Sequence, residues 1–100
     1  MKEITLKGKE AFLLSLEKSS IMFTNPSKTL QALFERNGDN FFCIIKKYGT
    51  DTIPGEAIVL SLEEYKNSFG KCWKEHWYFN FFNEKKIISK PEEMENNEHD

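Results

Sequence analysis

The first part of the chain shows two hydrophobic patterns, strict alternation and helical spacing. Residues 2–6 alternate between polar and apolar side chains and predict a short strand, which Gly8 terminates. Residues 9–18 fit either pattern, and we favour a helix there. Residues 21–23 are apolar between polar neighbours, which predicts a short buried strand.

The next stretch carries the signals of a helix start. Asn25 is a residue type that caps helices, and Pro26 suits the first helical position because the N–H that it lacks has no partner there. Apolar residues then recur at positions i, i+3 and i+4 up to Phe34, and Gly38 follows them. This pattern predicts a helix over residues 26–36.

Two strands and a second helix are predicted in the middle of the chain. Residues 40–48 are apolar on both faces, as expected of an interior strand, and the β-branched residues in 56–60 predict a strand that returns beside it. Ser61 and Glu64 have the spacing of a capping box, in which each side chain accepts a hydrogen bond from the backbone N–H of the other. We therefore predict a helix that begins at Leu62.

The last third contains an aromatic strand and a charged end. The second helix ends either at Gly70, which is unfavourable inside a helix, or near Glu75. Residues 77–82 alternate as a strand does, and the turn after them predicts a final hairpin with residues 85–89. Residues 91–100 contain one apolar side chain, too little to offset the entropy of ordering, so we predict a disordered acidic tail.

Together these elements predict an α+β fold with a small, mostly antiparallel sheet and two or three helices. One hundred residues, 39% of them hydrophobic, suit one core, so we expect a single domain over residues 1–90 followed by the tail. The two cysteines are interpreted as reduced thiols. The N-terminal apolar run is too short for a signal peptide, and no apolar run approaches the roughly 18 residues of a membrane span. We expect a small soluble cytoplasmic protein that makes no membrane contact.

The net charge of −2 divides unevenly along the chain. Five of the 16 acidic residues lie in the last ten positions, which hold no Lys or Arg, so residues 1–90 carry 14 positive and 11 negative charges. Much of this positive charge lies in residues 66–90, around the aromatic strand. The overall charge therefore excludes neither an anionic nor a cationic partner.

Six of the 14 aromatic residues form one dense group, here named the aromatic cluster: Trp73, Trp77, Tyr78, Phe79, Phe81 and Phe82. Alternation along a strand would send Trp77, Phe79 and Phe81 to one face and Tyr78 and Phe82 to the other. One face then belongs to the core, and the other either is buried too or meets a partner. Together with nearby lysines, the candidate binding residues are Trp73, Trp77, Tyr78, Lys71, Lys74, Lys85 and Lys86.

Cys72 and His76 are four residues apart and would share one face of a helix. Such a pair suits two metal ligands or a thiolate and its base, but a metal needs more ligands, and the remaining candidates are Cys43 and His99. We interpret the pair as a buried thiol beside a partly buried histidine, and we predict no metal, no cofactor and no enzymatic activity. A small Cys/His enzyme is kept as one alternative.

The segment GEAIVLSLEEYKNSF, residues 55–69, resembles the last strand and the following helix of Phd/YefM-type antitoxins. The helix predicted over residues 26–36 and the strand predicted over residues 40–48 come in an order compatible with that family. The resemblance covers about 15 residues of the chain and implies a small dimeric protein that binds DNA.

The leading functional hypothesis is a non-enzymatic protein-binding module, an inhibitor or immunity-type protein of a phage or mobile element that occupies the surface of a partner protein. Small size, the aromatic excess and an acidic tail that can engage a basic partner motivate it. The alternative is a nucleic-acid-binding regulator or antitoxin, since lysines interleaved with aromatic rings suit single-stranded nucleic acid. Homodimerisation through an aromatic face is left open.

Overall fold

The computed structural model describes residues 3–49 and 57–86, which form six β-strands, two α-helices and one short 3-10 helix. This confirms the predicted α+β fold. In chain order the elements are β1 (Ile4–Lys7), α1 (Gly8–Ser15), β2 (Ser20–Thr24), β3 (Leu30–Asn37), β4 (Asn40–Lys47), β5 (Ile58–Ser61), α2 (Leu62–Ser68), the 3-10 helix (Gly70–Cys72) and β6 (His76–Phe82).

All six strands belong to one antiparallel sheet with the order β1-β6-β2-β3-β4-β5. Strands β2 to β5 follow one another as neighbours, whereas β6 lies between β1 and β2. Phe79 of β6 accordingly pairs with Ile4 on one side and with Phe23 on the other. Within the described residues, β1 and β5 are the two edges of the sheet.

The helices cover one face of the sheet and form the main core with it. Phe12 of α1, Tyr65 of α2 and Phe69 at its end contribute the helix side of this core. They pack against strand residues that point to the same face, namely Ile21, Phe23, Phe34, Phe41, Cys43 and Phe79. Because each aromatic ring buries a large apolar area, this layer is the principal source of hydrophobic stabilisation.

A glycine allows α1 to approach the 3-10 helix. A Cβ atom at Gly8 would lie 2.5 Å from the carbonyl oxygen of Cys72, so only hydrogen fits there. The backbone N–H of Gly8 donates to the carbonyl of Glu75 at 3.3 Å, and that of Lys9 donates to the carbonyl of Trp73 at 3.2 Å. The start of α1 is thereby tied to the chain that leads into β6.

The capping box at the start of α2 is confirmed. Ser61 Oγ accepts a hydrogen bond from the Glu64 N–H at 3.2 Å, and the Ser61 N–H donates to Glu64 Oε1 at 2.9 Å. Hydrogen bonding of the Glu64 carboxylate to Ser61, first from the Ser61 backbone N–H and then from its side chain, holds the pKa of that carboxyl below its usual value. The helix begins at Leu62, as predicted, and ends at Ser68, shortly before Gly70.

The helix predicted over residues 26–36 is wrong, because this region contains the strand β3. Asn25 turns the chain instead of capping a helix: its Oδ1 accepts hydrogen bonds from the N–H groups of Thr29 at 2.9 Å and Leu30 at 3.0 Å. Lys28 adopts the left-handed conformation inside this turn, with φ at 57°. Asparagine followed by proline is equally typical of a turn, and the turn forms here.

The apolar spacing that suggested this helix arises because β3 is buried on both faces. Phe34 faces the helices, whereas Leu33 points to the opposite face, where it packs with Ile44. A strand buried on both sides has apolar residues at spacings that a helical face also produces. Pairing with the neighbouring strands β2 and β4 favours the strand over the helix here.

The C-terminal predictions are only partly covered by the structure. Residues 83–86 follow β6 without forming a strand, so the described part of the predicted hairpin is not formed. The rest of that hairpin, residues 87–89, and the predicted tail, residues 91–100, lie outside the described residues. Both α-helices of the described chain have eight residues or fewer, and neither can cross a bilayer.

Candidate functional site

Strand β6 distributes the aromatic cluster over both faces of the sheet. Trp77, Phe79 and Phe81 point toward the helices, whereas Tyr78 and Phe82 point to the opposite face. The predicted alternation is therefore confirmed. Phe79 is fully buried, while both tryptophans and Tyr78 are partly buried. Only part of the aromatic cluster thus remains accessible to a partner.

An open groove lies on the helix-covered face where the helices end. It has a volume of about 390 Å³, and most of its lining is apolar. Its residues come from the end of β2, the Asn25 turn, β3, β4, α2, the 3-10 helix and β6: Phe23, Asn25, Pro26, Leu30, Gln31, Ala32, Ile45, Ser68, Lys71 and Trp77. We refer to this feature as the apolar groove.

Two residues of β3 and β4 contribute large, half-exposed apolar side chains to the apolar groove. Leu30 is 50% exposed and Ile45 is 56% exposed, and both point to the helix-covered face. Ala32 lies directly opposite Ile45 in the sheet, and its small side chain leaves the space between them open. Large apolar side chains that stay half-exposed side by side are typical of surfaces that bind other molecules.

Trp77 and Lys71 bring an aromatic ring and a positive charge to the same groove. The Trp77 ring lies 5.9 Å from the Phe23 ring, and its Nε1–H donates a hydrogen bond to Glu75 Oε1 at 3.2 Å. These two contacts orient the indole in the groove. Lys71, in the 3-10 helix, is exposed and lines the groove beside it. An apolar ligand with a nearby negative charge complements this combination.

The wall of the apolar groove at the Asn25 turn is fixed by side-chain hydrogen bonds. Asn25 Oδ1 accepts the two hydrogen bonds from backbone N–H groups described above. Its Nδ2 also donates to Thr29 Oγ1 at 2.8 Å and to Ser27 Oγ at 3.2 Å. The groove is thus shaped before any ligand arrives. Preorganised surfaces lose less conformational entropy on binding.

The other predicted binding residues lie elsewhere. Tyr78 is on the opposite face of the sheet, where the Lys28 ammonium lies 4.6 Å from its ring centre. Trp73 packs against Phe12 at 5.9 Å between ring centres. Lys74 is exposed in the turn that precedes β6. Of the seven predicted residues, the apolar groove combines Trp77 and Lys71.

Lys85 and Lys86 follow the C-terminal end of β6, whereas Trp77 lies near its start. Lys86 Nζ forms an ion pair with Glu84 at 2.6 Å and lies 4.9 Å from the ring centre of Phe82. Lys85 borders a second, more polar concavity of about 350 Å³, together with Lys18, Arg36 and the acidic Glu17. We call this feature the basic concavity, and sequence reasoning did not connect these three cations.

The proposed helical face of Cys72 and His76 does not exist. Cys72 lies in the 3-10 helix and is fully buried, whereas His76 begins β6 and is exposed on the side opposite the core. Burial raises the pKa of the Cys72 thiol to about 11, so it is protonated at neutral pH. Among the described residues, no three side chains of His, Cys, Asp or Glu come together as a metal site.

Apart from Lys71 and Trp77, the residues of the apolar groove were not predicted as binding residues, and among those missed are Leu30, Ala32 and Ile45. Leu30 and Ala32 fell within the predicted helix 26–36, where Leu30 was assigned to the apolar face of the helix. Ile45 fell in a strand that was expected to be covered on both sides. The available signal was the alternation of Leu30, Ala32 and Phe34, which places all three on one face of a strand.

Comparison of the chain with protein-family models, with curated proteins and with solved structures finds no match in any of the three.

Proposed function

We propose that the chain is a non-enzymatic protein-binding module whose apolar groove receives side chains of a partner protein. The observation that carries this proposal is the groove itself, an open apolar surface that includes Leu30, Ile45 and Trp77. Tryptophan and large aliphatic side chains lose few rotamers when they are covered, and burying them drives association.

The chemistry of the groove indicates which partner segment fits it. Leu30 and Ile45 favour contact with an apolar side chain of the partner, since a charged group placed there would lose its hydration without compensation. Lys71 beside them favours a carboxylate next to that side chain. We therefore propose a partner segment with a large apolar residue next to Asp or Glu.

The finer proposal is an inhibitor or immunity-type protein of a phage or mobile element. A chain of 100 residues that offers a preshaped groove can act by occupying a surface that its partner needs for activity. The five acidic residues of the last ten add a second point of contact for a basic partner. If the partner is an enzyme, a stoichiometric amount of the chain should abolish its activity.

The test is a pull-down from source-cell lysate with three versions of the chain. Wild type is compared with Leu30→Asp, which places a charge in the groove, and with Leu13→Asp, which changes an equally exposed leucine on α1. We expect a stoichiometric partner with wild type and with Leu13→Asp, and its loss with Leu30→Asp. Recovery of the same partner by Leu30→Asp, or of no partner by wild type, would count against the proposal.

A second candidate function, nucleic-acid binding, is supported by the basic concavity. Lys18, Arg36 and Lys85 bring three cations to one end of the sheet against the single carboxylate of Glu17, and this excess of positive charge attracts phosphate groups. The antitoxin form of this hypothesis is weakened, because the helix that it expects over residues 26–36 is replaced by the strand β3.

Binding of a labelled single-stranded oligonucleotide tests this second candidate. The affinity should fall as salt rises, weaken with Lys18→Glu, and strengthen when residues 91–100 are deleted, because a competing anion is removed. An oligonucleotide that does not bind at low salt eliminates nucleic acid as the partner.

A further inference from the structure

Strand β5 forms an edge of the sheet that carries no charged residue. It pairs with β4 on one side, and within residues 3–49 and 57–86 no strand pairs with its other side. Its residues Ile58–Ser61 have the sequence IVLS. Natural proteins usually protect exposed strand edges with charges, proline or bulges, because an open edge pairs readily with another chain.

The side chains of β5 are exposed on both faces of the sheet. Ile58 pairs with Cys43 and points to the helix-covered face, whereas Val59 pairs with Phe42 and points to the other. Both are 56% exposed, and Leu62, which follows the strand, is 51% exposed. A strand added beside β5 would cover apolar groups on both faces at once.

The other edge of the sheet is protected. Strand β1 follows Glu3 and ends with Lys7, and Glu3 forms an ion pair with Lys28 at 3.7 Å. The apolar residues of β1, Ile4 and Leu6, pack against the core. Pairing of β1 in one copy with β5 in another is therefore disfavoured, which opposes open-ended chains of molecules.

We propose that β5 is a dimerisation edge, at which two copies of the chain pair β5 with β5 in antiparallel fashion about a twofold axis. Such an axis, perpendicular to the sheet, keeps each residue opposite one from the same face. Val59 then lies opposite Val59 of the second copy, and Ile58 lies opposite Leu60 of the second copy. No like charges meet, since β5 has none, so the strand is complementary to itself.

This surface is separate from the apolar groove. The groove is lined by residues of β2, β3, β4, β6 and the helices, and β5 contributes none of them. Dimerisation through β5 thus leaves the groove of each copy available for a partner. It would present two grooves on one assembly, so that a partner with two binding segments would gain from avidity.

Charge variants at Val59 test the proposal by sedimentation velocity. Wild type should sediment as a dimer of the 11.8 kDa chain at concentrations of about 1 to 100 µM, while Val59→Lys and Val59→Glu should each sediment as monomers. An equimolar mixture of the two variants should restore the dimer, because opposite charges then face each other. Leu13→Lys, at a residue with similar exposure on α1, should dimerise as wild type does.

A conservative variant gives an independent readout of the register. In an antiparallel pair, directly opposed Cα atoms lie about 4.5 to 5.5 Å apart, a distance that a disulfide spans. Val59→Cys should therefore form a covalent dimer on mild oxidation, and Leu13→Cys should not. The two native thiols are buried, which limits their interference.

The outcomes separate this proposal from the groove. A wild-type chain that stays monomeric at about 100 µM overturns the pairing of β5 with β5. The remaining occupant of this edge would then be an extended segment of another protein. A Val59→Lys chain that dimerises like wild type overturns it equally. Leu30→Asp tests the groove and should not change the dimer.

Discussion

Phe23 of β2 and Phe69 at the end of α2 have parallel stacked rings, with ring centres 5.1 Å apart and ring planes 3° from parallel. Phe69 is fully buried, and Phe23 also contacts Trp77 and lines the apolar groove. The stack therefore joins the helix layer to the wall of the candidate binding site. Stability and groove shape are coupled at this point.

Removal of the Phe69 ring should destabilise the fold and loosen the groove wall. We expect Phe69→Ala to lower the free energy of unfolding by about 3 to 5 kcal/mol, as large core truncations do. Phe69→Leu should cost less, because it keeps most of the apolar volume. Urea unfolding followed by tryptophan fluorescence measures both. A loss below about 1 kcal/mol for the alanine variant would show that the stack is not structurally important.

A matched pair of glycine variants tests the close contact between α1 and the 3-10 helix. A Cβ atom at Gly8 meets the backbone of Cys72, whereas a Cβ atom at Gly70 meets nothing within 4 Å. Gly8→Ala should therefore destabilise the fold by about 1 to 3 kcal/mol. Gly70→Ala should be neutral or stabilise by up to about 1 kcal/mol, since it restricts the unfolded chain. Equal melting temperatures for the two variants would contradict the contact.

The sequence predicts an element of this fold correctly where residues close together in the chain are enough to determine its structure. The helix at Leu62 is predicted because Ser61 and Glu64 form a complete local unit, and β4 is predicted because its residues 41–45 are apolar on both faces. The helix over residues 26–36 is mispredicted because its signals are ambiguous until the neighbouring strands are known. Pairing with β2 and β4 is a long-range interaction that no local window contains.

Two similar segments show the same limit. EAFLLSLE at Glu10–Glu17 and EAIVLSLE at Glu56–Glu63 share six of eight residues. The first lies largely in α1, whereas the second contains β5 and the start of α2. Ser15 bonds to the carbonyl of Phe12 inside the helix, and Ser61 caps a helix. The adjacent β-branched residues Ile58 and Val59 favour a strand in the second segment. Tertiary contacts account for the rest of the difference in structure between the two segments.

The candidate site was predictable only in part for a related reason. The chain order brings Trp77 and Lys71 close together in sequence, so their grouping was accessible to sequence reasoning. Leu30 and Ile45 join them through the sheet order, in which β6 lies next to β2 and β2 next to β3. A groove that depends on strand order cannot be found from composition or from spacing along the chain.

Asn25 should be the most sensitive polar residue of the groove wall. Asn25→Ala removes all four hydrogen bonds of its side chain and should destabilise the fold by about 1 to 3 kcal/mol. Asn25→Asp keeps the acceptor for the Thr29 and Leu30 N–H groups and loses the two donated bonds, so its loss should be intermediate. Thermal unfolding of both variants checks this order, and an aspartate variant less stable than the alanine variant would contradict it.

The two buried thiols should make the fold sensitive to alkaline pH. Burial raises the pKa of Cys43 and of Cys72 from 9.0 to about 11, so each thiol stays protonated to higher pH in the folded chain than in the unfolded chain. Their contribution to stability is therefore complete below about pH 9 and is lost as the pH rises toward about 11. Urea unfolding across this range measures the loss.

The double variant Cys43→Ala, Cys72→Ala is the control for this alkaline loss. It should be less stable at neutral pH, because two core side chains shrink, but its stability should fall less steeply between about pH 9 and pH 11. Tyr65, whose pKa burial also raises, titrates in both chains and forms a shared background. Parallel pH profiles for the two chains would show that the thiols already ionise in the folded state, and reaction of native Cys72 with a thiol reagent at neutral pH would show the same directly.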